Sequence, residues 1–330
     1  MASYFVTGAT GFLGGEVVRQ LIAGGHRVRA LVRSPPAAAA LAQAGAELHA
    51  GDITHPESMR APMTGVDGVF HIAGWYKVGV RDRSPAININ VNGTRNVLTL
   101  MRELGVPKGV YTSTLAVNSD THGQVVDESY RFTGKYLSIY DETKAQAHHL
   151  AEQFIAGGLP LVIVQPGVIY GPGDTSSVRM TLRQYLQRKL PVVPKKTAFC
   201  WGYIEDVARG HLLAMEQGRP GRNYFLAGPV HTMIEALETA ESITHIPAPR
   251  IHLNLGAMRA LVGTVAKIEA YLPAAAQAAF ENLRVVGGAT YLGSNARAVR
   301  ELGWRVRPLA DGLTETLRAE MIDLGMEPRF

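Results

Sequence analysis

The chain has 330 residues, 46% of them hydrophobic, enough for one large α/β unit or two unequal domains around a sizeable core. Its net charge of +5 comes from 33 basic and 28 acidic residues with no basic tract, which argues against a nucleic-acid surface and leaves a mildly basic face for anionic ligands. Cys200 is the only cysteine, so an internal disulfide and a thiolate zinc site are both excluded.

The opening run MASYFVTGATGFLGG enters a strand at once, without a charged region leading into a long apolar one, so a cytoplasmic protein is expected. No segment reaches the roughly 18 uncharged apolar residues that cross a bilayer, and no membrane partner is expected. Apolar, β-branched runs at 4–7, 27–32, 47–50, 68–73, 109–114 and 161–165 predict strands separated by segments of helix length. That alternation predicts an α/β fold, a Rossmann-type doubly wound parallel sheet over residues 1–166. After Gly167 the glycine- and proline-rich turns YGPGD, QGRPGR and LAGPV predict a smaller carboxyl-terminal substrate lobe over 167–330, with a segment around 198–225 returning to the first domain. Within it, 253–279 carries Met258, Leu261, Val265, Ile268 and Leu272 at helical spacing. A core or lid helix is expected there rather than a membrane-surface one, because Arg259, Lys267 and Glu269 interrupt the stretch without forming a basic face.

In TGATGFLGG, Gly8, Gly11 and Gly14 recur every third residue between the first strand and a helix predicted over 12–23. Residues without a β-carbon let backbone amides approach a pyrophosphate, and a helix amino terminus adds roughly half a positive charge there. Tyr140 and Lys144 lie four apart on one face of a helix predicted over 140–156. A tyrosine of ordinary pKa near 10 is a poor base at neutral pH, and a nearby ammonium group favours its phenolate. The pair alone is also what a core tyrosine and a solvated lysine look like. It gains weight from Thr112, Ser113 and Thr114, whose hydroxyls at the carboxyl end of a parallel strand are expected to face the ligand crevice.

Taken together these motifs resemble the extended short-chain dehydrogenase/reductase superfamily of NAD(P)-dependent epimerases and dehydratases, over nearly the whole chain. The matching segments are TGATGFLG, GDI at 51–53, HIAG at 71–74, NVNGTRNVL at 90–98, YTSTLAV at 111–117, YDETK, QPGVIYGPG at 165–173 and SNARAVRELGW. The resemblance implies that Tyr140 donates or accepts the proton, that Lys144 binds the nicotinamide ribose and depresses the tyrosine pKa, and that Thr114, with Ser113 as neighbouring candidate, hydrogen-bonds the reacting oxygen. Thr10 would belong to the glycine loop, with the Phe12 and Leu13 amides facing the pyrophosphate. Asp52 would accept from the adenine amino group beside the Ile53 backbone. Ala73 and Gly74 would line the cofactor, and Pro166, Gly167 and Val168 would lie near the carboxamide.

Within the superfamily, a second strand ending in Asp or Glu goes with NAD, whereas Arg33 here resembles the NADP-preferring reductases related to dihydroflavonol reductase. A guanidinium can fork onto a 2′-phosphate, so NADP is the expected cofactor, with Arg33 as a solvated strand end the ordinary alternative. In sugar-nucleotide enzymes the region matching TAFCWGYIEDVARGHLLA carries an arginine for the substrate diphosphate. Phe199, Cys200 and Trp201 stand in its place, and an apolar side chain cannot neutralise a pyrophosphate. Trp75 and Tyr76 are candidate substrate contacts for a flat or apolar molecule, or else packing residues at a loop base.

The expected function is NADPH-dependent reduction of an aldehyde or ketone, the carbonyl substrate being the partner. Two rivals remain: a sugar epimerase or dehydratase, since the chain also resembles hopanoid-associated sugar epimerases, and a non-catalytic dinucleotide sensor. Arg179, Arg183 and Arg188 are read as solvated surface or an anion site, His148-His149 as surface or packing rather than metal ligands, and Lys195-Lys196 as a solvated pair. Helices predicted at 84–104 and 140–156 are the expected homodimer interface.

Overall fold

The computed structural model describes residues 1–76, 82–190, 192–254 and 288–330. Six strands follow one another as anticipated: β1 Ser3–Thr7, β2 Arg27–Val32, β3 Glu47–Ala50, β4 Gly68–His71, β5 Gly109–Thr112 and β6 Leu161–Pro166. With β10 (Asn223–Leu226) they form a seven-stranded parallel sheet in the order β10-β6-β5-β4-β1-β2-β3. Strand periodicity sends alternate side chains to opposite faces. Val6, Phe70, Val110, Val162 and Val164 pack beneath helices α1 (Phe12–Ala23) and α8 (Ile204–Glu216), while Phe5, Val69, Tyr111, Leu161 and Ile163 face α5 (Thr94–Glu103) and α6 (Ile139–Ala156). Burial on both faces is what the near-continuous apolar strands required.

Two strands stop earlier than their sequence suggests. β4 ends at His71 because the Thr7 hydroxyl accepts from the Ile72 and Ala73 amides, drawing the chain out of the ladder. β5 ends at Thr112, and Thr114 instead caps a 3₁₀ turn over Leu115–Asn118 by accepting from the Ala116 amide. The helix expected over 84–104 is continuous, but Ile87–Gly93 adopts π geometry, a widened turn of the kind that recurs near functional sites.

At Gly167 the chain leaves the large sheet. A β-carbon there would stand 2.3 Å from the Cys200 carbonyl oxygen, so only glycine lets β6 pass this close to β9 (Ala198–Tyr203). β7 (Val168–Tyr170) then pairs with β9 in a smaller sheet that also holds β11 (Val230–Thr232) and β13 (Thr290–Tyr291). The returning segment around 198–225 is therefore divided: β9 lies in the smaller sheet, α8 packs on α1, and β10 rejoins the large one. His252–Leu253 form a short strand (β12) on β8 (Val193–Pro194), and the rest of the helix expected over 253–279 lies, from residue 255, outside the described residues. Among the described residues no helix is long and apolar enough to cross a membrane.

The carboxyl-terminal segment is stapled back onto α8. Trp304 is fully buried and donates from Nε1 to the Asp206 carbonyl at 2.7 Å, and Arg307 stacks 3.9 Å above the Tyr203 ring while bonding Glu205, Asp206 and Glu315. Trp304→Ala is expected to destabilise the protein by about 3–5 kcal/mol, read as a lower denaturant midpoint.

Candidate active site

The glycine turn is tight because two positions leave no room for a side chain. Gly8 has φ +74°, and a β-carbon on it would meet the Ala73 amide at 2.6 Å; one on Gly14 would meet the Gly8 carbonyl oxygen at 2.0 Å. The turn therefore presses the first helix against the end of β4, with Thr10 and Gly11 exposed, Phe12 half-buried and Leu13 buried. Gly11 is the N-cap and contributes no side chain, and the first turn of α1 holds no acidic residue. An amide-rich, positive helix terminus beside a cradle that a β-carbon would fill suits a dinucleotide pyrophosphate.

At the far side of this cradle, Arg33, Gly51, Asp52, His55 and Ser58 line a cavity of about 320 Å³. Arg33 is exposed, and among the described residues no salt bridge ties up its guanidinium. Asp52 accepts from the Thr54 amide and hydroxyl, both at 2.8 Å. Burial alone would raise its pKa, but the Thr54 donors, with Arg33 and His55 nearby, hold it below the usual carboxylate value. Ile53 is buried against Gly93 of the π turn, and its carbonyl accepts from Asn96. Asn90, in the same turn, takes the Trp75 amide at 2.7 Å and donates to the Trp75 carbonyl and to Thr143, fixing the segment after β4 that carries Ala73 and Gly74.

The three hydroxyls that follow β5 diverge. Thr112 bonds His211 of α8 at 3.0 Å and Ser113 bonds His148 of α6 at 2.9 Å, all four side chains being buried. Of the three, Thr114 is the one whose hydroxyl acts on Tyr140, favouring its ionised form. Ser113 is thus turned to His148 of α6, and His148 is an interior residue while His149 is exposed. Tyr140 sits in the first turn of α6, whose N-cap Ser138 accepts from the Asp141 amide. The Tyr76 ring stands edge-on to it with centroids 4.9 Å apart, so Tyr76 contacts Tyr140.

Lys144 is 5% exposed and donates to the Thr112 carbonyl at 2.8 Å and the Tyr111 hydroxyl at 3.3 Å, its ammonium lying 4.9 Å above the Tyr111 ring. Burial drops its pKa from 10.5 to about 7. Burial likewise pushes the Tyr140 phenol above its usual value, the Thr114 hydrogen bond opposing this only in part. The lowering of Tyr140 by Lys144 that the sequence leads one to expect is therefore not a property of these two side chains alone. Beyond Tyr140, Asp141 accepts from Ser138 and from Tyr291, and burial raises it to about 6. Phe199 stacks on Tyr291 with centroids 6.1 Å apart, both side chains being buried.

The arginines at 179 and 183 are neither solvated surface nor an open anion site. Both bond Glu320, which is 2% exposed, and Asp323 of the helix Leu309–Asp323. Pro166 closes β6, and Gly167 and Val168 follow at the crossing between sheets. Among the described residues no three potential ligands converge as a metal site.

Residues 4–227 match the model of the NAD dependent epimerase/dehydratase family. The chain belongs to that family. It is 31% identical over 309 residues to the “Putative dihydroflavonol 4-reductase” of Synechocystis sp., covering 91% of this chain and 89% of that protein. It is 34% identical over 226 residues, 67% of each, to a 4-hydroxy-2-methyl-3-oxo-4-farnesyl-3,4-dihydroquinoline-1-oxide ketoreductase of Stigmatella aurantiaca. Among solved structures, that of gox2253 superposes with a TM-score of 0.82 at 27% identity over 99% of this chain and all of that one. A UDP-glucuronic acid 4-epimerase from Bacillus cereus shares the fold with a TM-score of 0.79 at 18% identity over 97% of this chain and 99% of that one. Membership places this chain among NAD(P)-dependent oxidoreductases and epimerases.

Because Lys144 titrates near 7 when folded and 10.5 when unfolded, the unfolded chain binds the extra proton between those values. The resulting penalty is full below about pH 7 and fades as pH rises to 10.5. Lys144→Met is accordingly expected to raise Tm by about 5 °C at pH 6.5, with the gain shrinking toward pH 10 in a thermal scan.

Proposed function

We propose that this protein is an NADPH-dependent reductase of an aldehyde or ketone. The observation that carries the reading is the character of the crevice beyond Tyr140. Phe199 stacked on Tyr291 stands at the place of a diphosphate-binding arginine, and Arg179 and Arg183 are consumed by Glu320 and Asp323. A sugar nucleotide would bury its diphosphate there without a counter-charge, whereas a flat, apolar carbonyl compound fits against Tyr76, Phe199 and Tyr291. The dihydroflavonol reductase and ketoreductase names among the relatives support the same class of reaction.

The Gly8–Gly14 turn would hold the pyrophosphate and Lys144 the nicotinamide ribose. Arg33, open toward the cavity at the end of β2, would pair with a 2′-phosphate, which supports NADPH over NADH. Bound NADPH supplies a hydride. The Thr114 hydroxyl orients the substrate carbonyl oxygen, and Tyr140 gives that oxygen its proton. Burial, which holds the phenol protonated, suits Tyr140 to act as an acid in this direction.

Tyr140→Phe is expected to lower kcat by about a hundred- to ten-thousand-fold while NADPH still binds, measured by loss of NADPH absorbance with a panel of flat carbonyl substrates. Arg33→Ala is expected to weaken NADPH about tenfold and leave NADH unchanged in fluorescence titration. Interconversion of a sugar nucleotide with no net consumption of NADPH would show an epimerase instead.

A further inference from the structure

The cavity at the end of β2 contains an imidazole to which the reaction above gives no task. Arg33, Gly51, Asp52, His55 and Ser58 line that cavity, and His55 is exposed. His55 Nδ1 lies 3.1 Å from Thr54 Oγ1, which in turn lies 2.8 Å from Asp52 Oδ1.

Asp52 sets the direction of both bonds. The Thr54 amide and hydroxyl, with Arg33 and His55 nearby, hold its carboxyl below the usual carboxylate value, so at neutral pH it is ionised and can only accept. The single hydroxyl proton of Thr54 therefore goes to Asp52, and the Thr54 oxygen accepts from His55 Nδ1–H. An imidazole that donates from Nδ1 has Nε2 left over: a lone pair when the ring is neutral, a second donor and a positive charge when it is protonated. Among the described residues no hydrogen bond engages Nε2. Ser58 is occupied, since its hydroxyl donates to the Asp52 and His55 carbonyls and accepts from the Asp52 amide.

On the reading of NADPH as cofactor, we infer that His55, oriented by Thr54 and Asp52, is a second binding residue for the 2′-phosphate, donating to it from Nε2 as an imidazolium in the cavity it shares with Arg33. Charge balance supports this assignment. Ionised Asp52 and Arg33 together bring no net charge, whereas a phosphate monoester carries about −1.5 to −2 at neutral pH. The cavity becomes net positive toward it when His55 is protonated. The charged groups beside His55 are Asp52 from the segment after β3 and Arg33 from the end of β2, and Glu57 of the helix Glu57–Met63 is bonded to Arg60.

The full chain is titrated calorimetrically at pH 7 with 2′,5′-ADP and with 5′-AMP, which differ only in the 2′-phosphate, in buffers of different ionisation enthalpy. 2′,5′-ADP is expected to bind more tightly and to take up a fraction of a proton more than 5′-AMP does; ionisation of the phosphate on a cationic site gives the opposite sign, proton release. His55→Asn, which removes the charge, is expected to weaken 2′,5′-ADP about fivefold, abolish the extra uptake and leave 5′-AMP unchanged. Thr54→Val, which leaves Nδ1 without its acceptor, is expected to weaken 2′,5′-ADP by a smaller factor, and no change there overturns the orienting part of Thr54. If 2′,5′-ADP binds no tighter than 5′-AMP, the NADPH reading itself fails. Tighter 2′,5′-ADP binding that His55→Asn leaves intact, or an equal loss for both fragments, refutes the role of His55 and leaves NADPH and Arg33 standing.

Discussion

A lysine buried without a carboxylate is the feature around which the crevice is arranged. Desolvating an ammonium is unfavourable by several kcal/mol unless a counter-charge or dense hydrogen bonding replaces water. Among the described residues Lys144 has only a carbonyl and a phenol as hydrogen-bond partners, and its pKa falls with burial. The arrangement keeps α6 locked to the end of β5, because Thr112 can accept from Lys144 only while helix and strand stay in register. Thr114, two residues on, is thereby delivered to Tyr140. One buried cation thus positions the groups that would carry the chemistry.

The large sheet and the smaller lobe meet along a seam of close backbone approach and part-buried charge. Gly167 lets β6 run past β9 within reach of the Cys200 carbonyl, and three of the lobe's arginines are spent on structure: Arg307 on α8 and the Tyr203 ring, Arg179 and Arg183 on the last long helix. Cations used in this way are withheld from ligands. The mildly basic net charge consequently overstates how much positive surface the crevice presents, whereas Arg33 lines the cavity at the end of β2.

Much of the fold was legible because parallel-strand burial and the glycine turn leave local marks: apolar runs of strand length, and glycines where a β-carbon would collide. Tyr140, Lys144, Thr114 and Tyr76 were also singled out by sequence; Thr114 and Tyr76 stand beside Tyr140, and Lys144 bonds the end of β5. Asn90, Tyr111, His148 and Tyr291 were not singled out for the site. Each earns its place through a partner more than 10 residues away, and spacing along the chain carries no trace of such contacts. Ser113 stood beside Thr114 as the neighbouring candidate, but buried histidines from two different helices engage the Thr112 and Ser113 hydroxyls.

By itself the sequence determined the doubly wound sheet, the tight glycine turn after β1 and the placing of Tyr140 and Lys144 on one helix, because helical and strand periodicities and steric demands at glycine act over a few residues. Only the tertiary structure decided which hydroxyl meets Tyr140, which arginines are free of ion pairs, and in what protonation state Lys144 rests. Those depend on desolvation and on hydrogen-bond partners supplied from distant strands and helices, and a buried polar group takes its properties from whatever the fold packs around it.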